Sequence, residues 1–436
     1  MTGFWCEYAW LPAGCTASVR VEAGADGAVE RVLPGDPARP GDVRLPGLVL
    51  PGFADAHSHA FHRALRGRLH AEGSFWSWRE GMYALAQHLD PDGYLELATA
   101  VYAELALAGV SCVGEFHYLH HGAGGVRYDD PNAMGEALRE AARRAGIRIT
   151  LLDTCYLAGG IDVPLEGVQL RFGDGDAGAW AQRVAALRED AGFRVGAAVH
   201  SVRAVPADQL AGVAQAARGR PLHVHLSEQP AENEACLAAY RRTPAGLLAD
   251  HGVLGALTTA VHATHLTADD VRLLGGSGTT ACLCPTTERD LADGIGPARE
   301  MRDAGSPLCL GSDQHAIVDL IEEARGLEMH ERLASLRRGR FGVADLVEAL
   351  TSSGHAALGW PEAGRIAPGA PADLVAVRLD SVRTAGCLPE QALLAASGSD
   401  ITAVVVGGRT VARDGVHRDL GDVGRLLARA VAAAWP

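Results

Sequence analysis

The stretch PGFADAHSHAFHRALRG, Pro51 to Gly67, places His57 and His59 two residues apart behind an apolar run, LVLPGF. Side chains along a strand alternate between its two faces, so residues two apart point the same way. Two imidazoles on one face, just where the strand should end, can share one metal ion. They can equally form an ordinary hydrogen-bonded pair, and the stretch alone leaves both readings open.

The rest of the chain repeats the pattern. Seven further apolar runs follow, each ending in polar or histidine-bearing residues: VSCVGEFHY, IRITLLDTCY, RVGAAVHSVR, PLHVHLSE, TTAVHATH, TTACLCPTTE and PLCLGSDQH. Between them lie stretches such as YLELATAVYAELALAG and MGEALREAARRAG, with apolar residues three and four apart and a closing glycine, as helices have. Eight strand–helix units predict a TIM-type (β/α)8 barrel over residues 51–365, and such barrels build their sites from the carboxyl ends of the strands. Outside it, residues 1–50 and 366–436 carry short Val- and Gly-rich pieces such as LVAVRL and ITAVVVGGRTVARDG, which read as strands joined by turns. Both ends are expected to form one small β-sandwich domain.

Composition narrows the function. A chain of 436 residues, 48% hydrophobic, can bury a large core. Its formal charge of −14, from 39 basic against 53 acidic residues, disfavours nucleic acid, whose binding is carried by a positive footprint. A small-molecule partner is expected instead. The nine cysteines are scattered without a CxxC pair, which points to a reducing compartment. The amino terminus has no basic, apolar leader, and no apolar run approaches the roughly 18 residues of a membrane span, so a cytoplasmic protein without membrane contact is expected. Lysine is absent, and all 39 basic residues are arginine.

Company sharpens the opening pair. The fifth run ends in HVHLSE (His223, His225, Glu228), the sixth in VHATH (His262, His265) and the eighth in GSDQH (Asp313, His315). Histidines and an aspartate from separate strand ends make the nitrogen and oxygen ligand set that suits zinc.

On the motifs HSHAFHRA, FWSWRE, GEFHYLHH, HSVRAV, HLSEQ, VHATH, LCPTTE and GSDQH, with the returning tail GRIAPGAPADLVAV, the chain resembles the metal-dependent deaminases of the amidohydrolase superfamily. FWSWRE, EFHYLHH and HSVRAV resemble most the branch that deiminates formimidoylglutamate. Many members of the superfamily hold two metals through a carboxylated lysine at the fourth strand. This chain has none, and its fourth strand ends in His200. The resemblance therefore implies one Zn2+ per chain, with Fe2+ as the alternative, held by His57, His59, His225 and Asp313. His225 is preferred to His223 because the family ligand stands three residues before the glutamate.

The resemblance also implies roles. Glu228 would shuttle a proton from water to the leaving nitrogen, His262 would orient the attacked group, and Asp313 would both ligate and accept a proton. His265 and His315 stand either as supports or as direct participants. A dicarboxylate substrate calls for planar, two-pronged donors, and Arg79, Tyr118, His200 and Arg203 would fill that role. His62, standing where the family pattern leads one to expect glutamine, would add a pH-dependent carboxylate contact. Trp76 and Trp78 read as loop packing. The implied reaction is hydrolysis of N-formimidoyl-L-glutamate to N-formyl-L-glutamate and ammonia, in histidine degradation, by a homodimer. The competing expectations are a deaminase of an aminopurine, pyrimidine or triazine ring, and a scaffold that binds without catalysis.

Overall fold

The computed structural model describes residues 2–68 and 75–435, the side chains of 75–77 excepted. Eight parallel strands stand in chain order: β1 (Phe53–Ser58), β2 (Val110–His117), β3 (Arg148–Cys155), β4 (Phe193–Val199), β5 (Leu222–Leu226), β6 (Thr258–His262), β7 (Thr280–Leu283) and β8 (Leu308–Leu310). Seven fall within the runs, and β4 begins one residue before its run, at Phe193. Parallel neighbours need crossover helices, and these cover the outer face, so β1, β2 and β3 are buried at every residue. The crossover helix Pro91–Leu107 shows how local chemistry sets the register: the Asp90 side chain caps it by accepting from the Gly93 N–H, and Pro91 opens it. The next helix, Ala133–Ala145, stops at Gly146, whose φ of 70° lies in the left-handed region.

The barrel closes at the opening stretch itself. The His59 N–H donates to the Asp313 carbonyl at 3.0 Å, and the Asp313 N–H donates to the His57 carbonyl at 2.9 Å. Gly311 is required at this seam, because a Cβ there would stand 2.7 Å from the Cβ and the carbonyl oxygen of His57.

Gly52 divides the apolar run LVLPGF. Val43–Pro51 belongs to a second, eight-stranded mixed sheet, and Phe53 begins the barrel. That sheet draws Thr2–Leu11, Gly14–Ala23 and Val29–Pro34 from the beginning of the chain and Leu374–Val377, Ile401–Val406, Arg409–Arg413 and Val416–His417 from its end. The halves join where Leu374–Val377 pairs antiparallel with Leu48–Pro51. Phe4, Val21, Leu45, Val49, Leu374 and Val405 fill its own core. An ion pair between Arg148 at the foot of β3 and Asp373 beside Leu374 ties the sheet to the barrel.

Candidate metal centre and pocket

The carboxyl ends of β1 and β5 and the loop after β8 bring His57, His59, His225 and Asp313 together, with one donor atom from each lying within 4.8 Å of the others. His57 Nε2 stands 3.1 Å from Asp313 Oδ1, and His59 Nε2 3.3 Å from the same oxygen. His57 Nε2 and His225 Nε2 face each other at 3.1 Å. The other ring nitrogens decide what these can do. His59 Nδ1 meets the Phe116 carbonyl at 2.9 Å and His225 Nδ1 the His200 carbonyl at 3.0 Å. A carbonyl only accepts, so in both rings the proton sits on Nδ1 and Nε2 turns a bare lone pair inward. Converging lone pairs beside a carboxylate repel one another without a cation, and this donor set fits one divalent metal. Burial alone would raise Asp313, but the hydrogen bond with His57 and the charge of His262 hold it well below the usual carboxylate range.

Glu228 and His262 stand beside this set. Glu228 Oε1 is 3.8 Å from His262 Nε2, and His262 lies 3.7 Å from Glu288 and 4.0 Å from Asp313. Burial pushes Glu228 up from its ordinary value, against the pull of His262 and Arg203. Burial would lower His262, but the surrounding carboxylates, Glu228 foremost, raise it to about 10. A proton is thus retained between a carboxyl and an imidazole next to the inward lone pairs. The backbone is strained at the same rim: Ser227, His262, Ala263, Asp313 and His315 all have positive φ, from 46° to 68°.

A cavity of about 270 Å³ opens above these groups. His62, Arg79, Tyr118, His200 and Arg203 all line it. His62 Nε2 lies 2.8 Å from the Tyr118 hydroxyl, and Arg79 stacks over the Tyr83 ring at 5.3 Å. Arg203 donates from Nε to Glu232 at 2.9 Å. Burial holds the His62 imidazole well below its ordinary value. Trp78, expected to be packing, lines the cavity; the Trp76 side chain lies outside the described residues. His265 and His315 do not line it. His265 bonds the Asp293 carbonyl and His315 the Ser58 hydroxyl. His223, nearer the foot of β5, bonds the Ala357 carbonyl.

Met82, Tyr83, Tyr156, Gln229 and Glu232 line the cavity without having been singled out. Some signals were present. Tyr156 ends the third run as Tyr118 ends the second, and Tyr83 stands four residues after Arg79 on the helix Phe75–Ala86, hence on the same face.

Among the described residues a second group, His117, His120 and Asp153, also brings ligand-type atoms together. It lies on the other side of β2, since His117 points away from its neighbours Phe116 and Tyr118. Both oxygens of Asp153 are taken there, by Arg183 at 2.7 and 2.8 Å and by the Trp180 indole at 3.0 Å.

The chain matches the Amidohydrolase family over residues 48–411. It is 37% identical over 436 residues to the formimidoylglutamate deiminase of Pseudomonas aeruginosa, covering 96% of each chain. It is 30% identical over 400 residues to the 8-oxoguanine deaminase of the same organism, covering 89% of this chain and 87% of that one. An amidohydrolase from Brucella melitensis superposes with a TM-score of 0.93, at 30% identity and full coverage of both chains.

Proposed function

Because this chain belongs to the amidohydrolase family, a metal-dependent family of hydrolases, we propose that it hydrolyses N-formimidoyl-L-glutamate to N-formyl-L-glutamate and ammonia, a step of histidine degradation. The observation that carries the reading is one cavity with the inward lone pairs of His59 and His225 at its floor and two arginines, Arg79 and Arg203, on its walls. Residues 51–365 form the catalytic barrel, and residues 1–50 with 366–436 its appended domain. In solution the chain is a homodimer.

His57, His59, His225 and Asp313 hold one Zn2+, with Fe2+ as the alternative. The absence of lysine removes the usual bridge to a second ion. Bound there, the ion supplies a Lewis acid that brings the ionisation of water towards neutral pH. The chain's own groups do the rest. Glu228 Oε1 takes a proton from the attacking water and delivers it to the terminal amidine nitrogen, which then leaves as ammonia. His262, held by Glu228 and Glu288, orients the amidine, and Asp313 accepts a proton at its second oxygen. Arg79, Arg203 and Tyr118 hold the two carboxylates, His200 and His62 bounding the same space.

A second reading, deamination of an aminopurine or related ring, draws on the aromatic walls, Trp78, Tyr83, Tyr118 and Tyr156, and on the likeness to 8-oxoguanine deaminase. Ammonia release across N-formimidoyl-L-glutamate, N-formimidoyl-L-aspartate and a panel of aminopurines separates the two. The glutamate derivative is expected to have the highest kcat/KM. A purine that exceeds it would overturn the reading.

A further inference from the structure

Glu232 occupies a position that neither the chemistry of deimination nor the motif HLSEQ requires. It lies in the first turn of the helix Pro230–Tyr240, where a carboxylate is favoured by the amide dipoles. Its side chain is fully buried, while that of Arg203, at the cavity wall, is 17% exposed. One oxygen, Oε1, accepts the N–H of Ser227 at 2.9 Å, and the other accepts Arg203 Nε at 2.9 Å. Ser227 is the strained residue between the ligand candidate His225 and the proton shuttle Glu228, with φ of 50°. A single carboxylate thus ties the turn that carries Glu228 to the loop that carries Arg203.

The division of Arg203 between two glutamates gives this tie its consequence. Arg203 Nη2 is 3.6 Å from Glu228 Oε2, beyond hydrogen-bonding length, while Nε donates to Glu232 Oε2 at 2.9 Å. Were the Nε edge released, the nearest anion for the guanidinium would be Glu228, the group whose oxygens must stay available for proton transfer. We propose that Glu232 is the positioning residue for substrate recognition: by gripping the Nε edge of Arg203 it keeps the guanidinium aimed at a substrate carboxylate and off Glu228. This rests on the reading that Arg203 meets a carboxylate of the substrate.

The test is a double-mutant cycle in the metal-loaded, full-length enzyme, reading KM, kcat, metal content and Tm for the parent, Glu232→Gln, Arg203→Met and the double variant. Glu232→Gln is expected to raise KM about tenfold while lowering kcat by less than about threefold, with metal retained, as for lost binding rather than lost chemistry. In the Arg203→Met background it should add nothing to KM and should raise Tm, because it removes a buried carboxylate left without its partner. A KM within twofold of the parent's, or the same KM effect in both backgrounds, would overturn the proposal. If Glu232→Gln does not fold, Glu232→Asp keeps the charge but shortens the reach, and an unchanged KM there overturns it equally. A parent chain that releases no ammonia from N-formimidoyl-L-glutamate would instead strike the functional reading, and with it the carboxylate assigned to Arg203.

Discussion

Two buried groups of histidine and carboxylate flank β2, and they spend their donors in opposite ways. On the cavity side, His59 and His225 give their protons to backbone carbonyls and turn bare nitrogens towards Asp313 and His57. On the helix side, Arg183 binds Asp153 and Asp174 together, and His121 adds a second donor to Asp174 at 3.0 Å. The first group is incomplete without a cation and the second already contains one. Proximity of ligand-type residues therefore does not identify a metal centre; the direction of the lone pairs and the saturation of the carboxylates do.

Breaking the first group should have the largest effect. His57→Ala is expected to lose the metal and to lower turnover by more than Glu228→Gln does, as checked by elemental analysis beside ammonia release. Glu228→Gln should keep the metal and lower kcat by roughly two to four orders of magnitude, the scale of a lost positioned acid or base. Near-normal turnover in that variant would remove Glu228 from the mechanism.

Breaking the second group should cost stability rather than chemistry. Arg183→Met removes the cation shared by two buried carboxylates and is expected to lower the unfolding free energy by about 3–5 kcal/mol, measured by urea denaturation, with metal content unchanged. The pH dependence follows from the same pair. Burial would raise Asp153 and Asp174, but Arg183, with His121 at Asp174, holds both below their ordinary values. A carboxylate depressed in the folded state contributes stability above its unfolded pKa, about 3.9, and loses it as pH falls through the folded value. The parent should therefore lose stability on acidification below about pH 5, and Arg183→Met should do so less steeply. The smallest effect is expected at His62. With its imidazole buried and neutral against Tyr118, His62→Gln should leave the pH dependence of KM between 6 and 8 as it is in the parent.

Short apolar runs with polar ends made the barrel legible, since each of the eight holds most or all of a barrel strand, and the resemblance picked the four ligand candidates from among the strand-end residues. What stayed hidden did so for physical reasons. One strand ends at Pro51 and Phe53 starts another in a different sheet, yet LVLPGF reads as one run because both strands are buried there. Met82 and Tyr83 reach the cavity from a helix and Glu232 from a helix start, where no strand period marks the inward face. The partner of Arg203 lies 29 residues away in the chain, a distance over which only the folded barrel brings them together. The resemblance set His225 above His223, and it is His225 that the fold brings beside His57, His59 and Asp313.

The contrast between the two groups is tested most directly by counting metal in the purified chain and in two variants, His57→Ala and His117→Ala. One divalent ion per chain is expected in the parent, none in His57→Ala and one in His117→Ala. Two ions in the parent, or loss of the ion from His117→Ala with retention in His57→Ala, would contradict it.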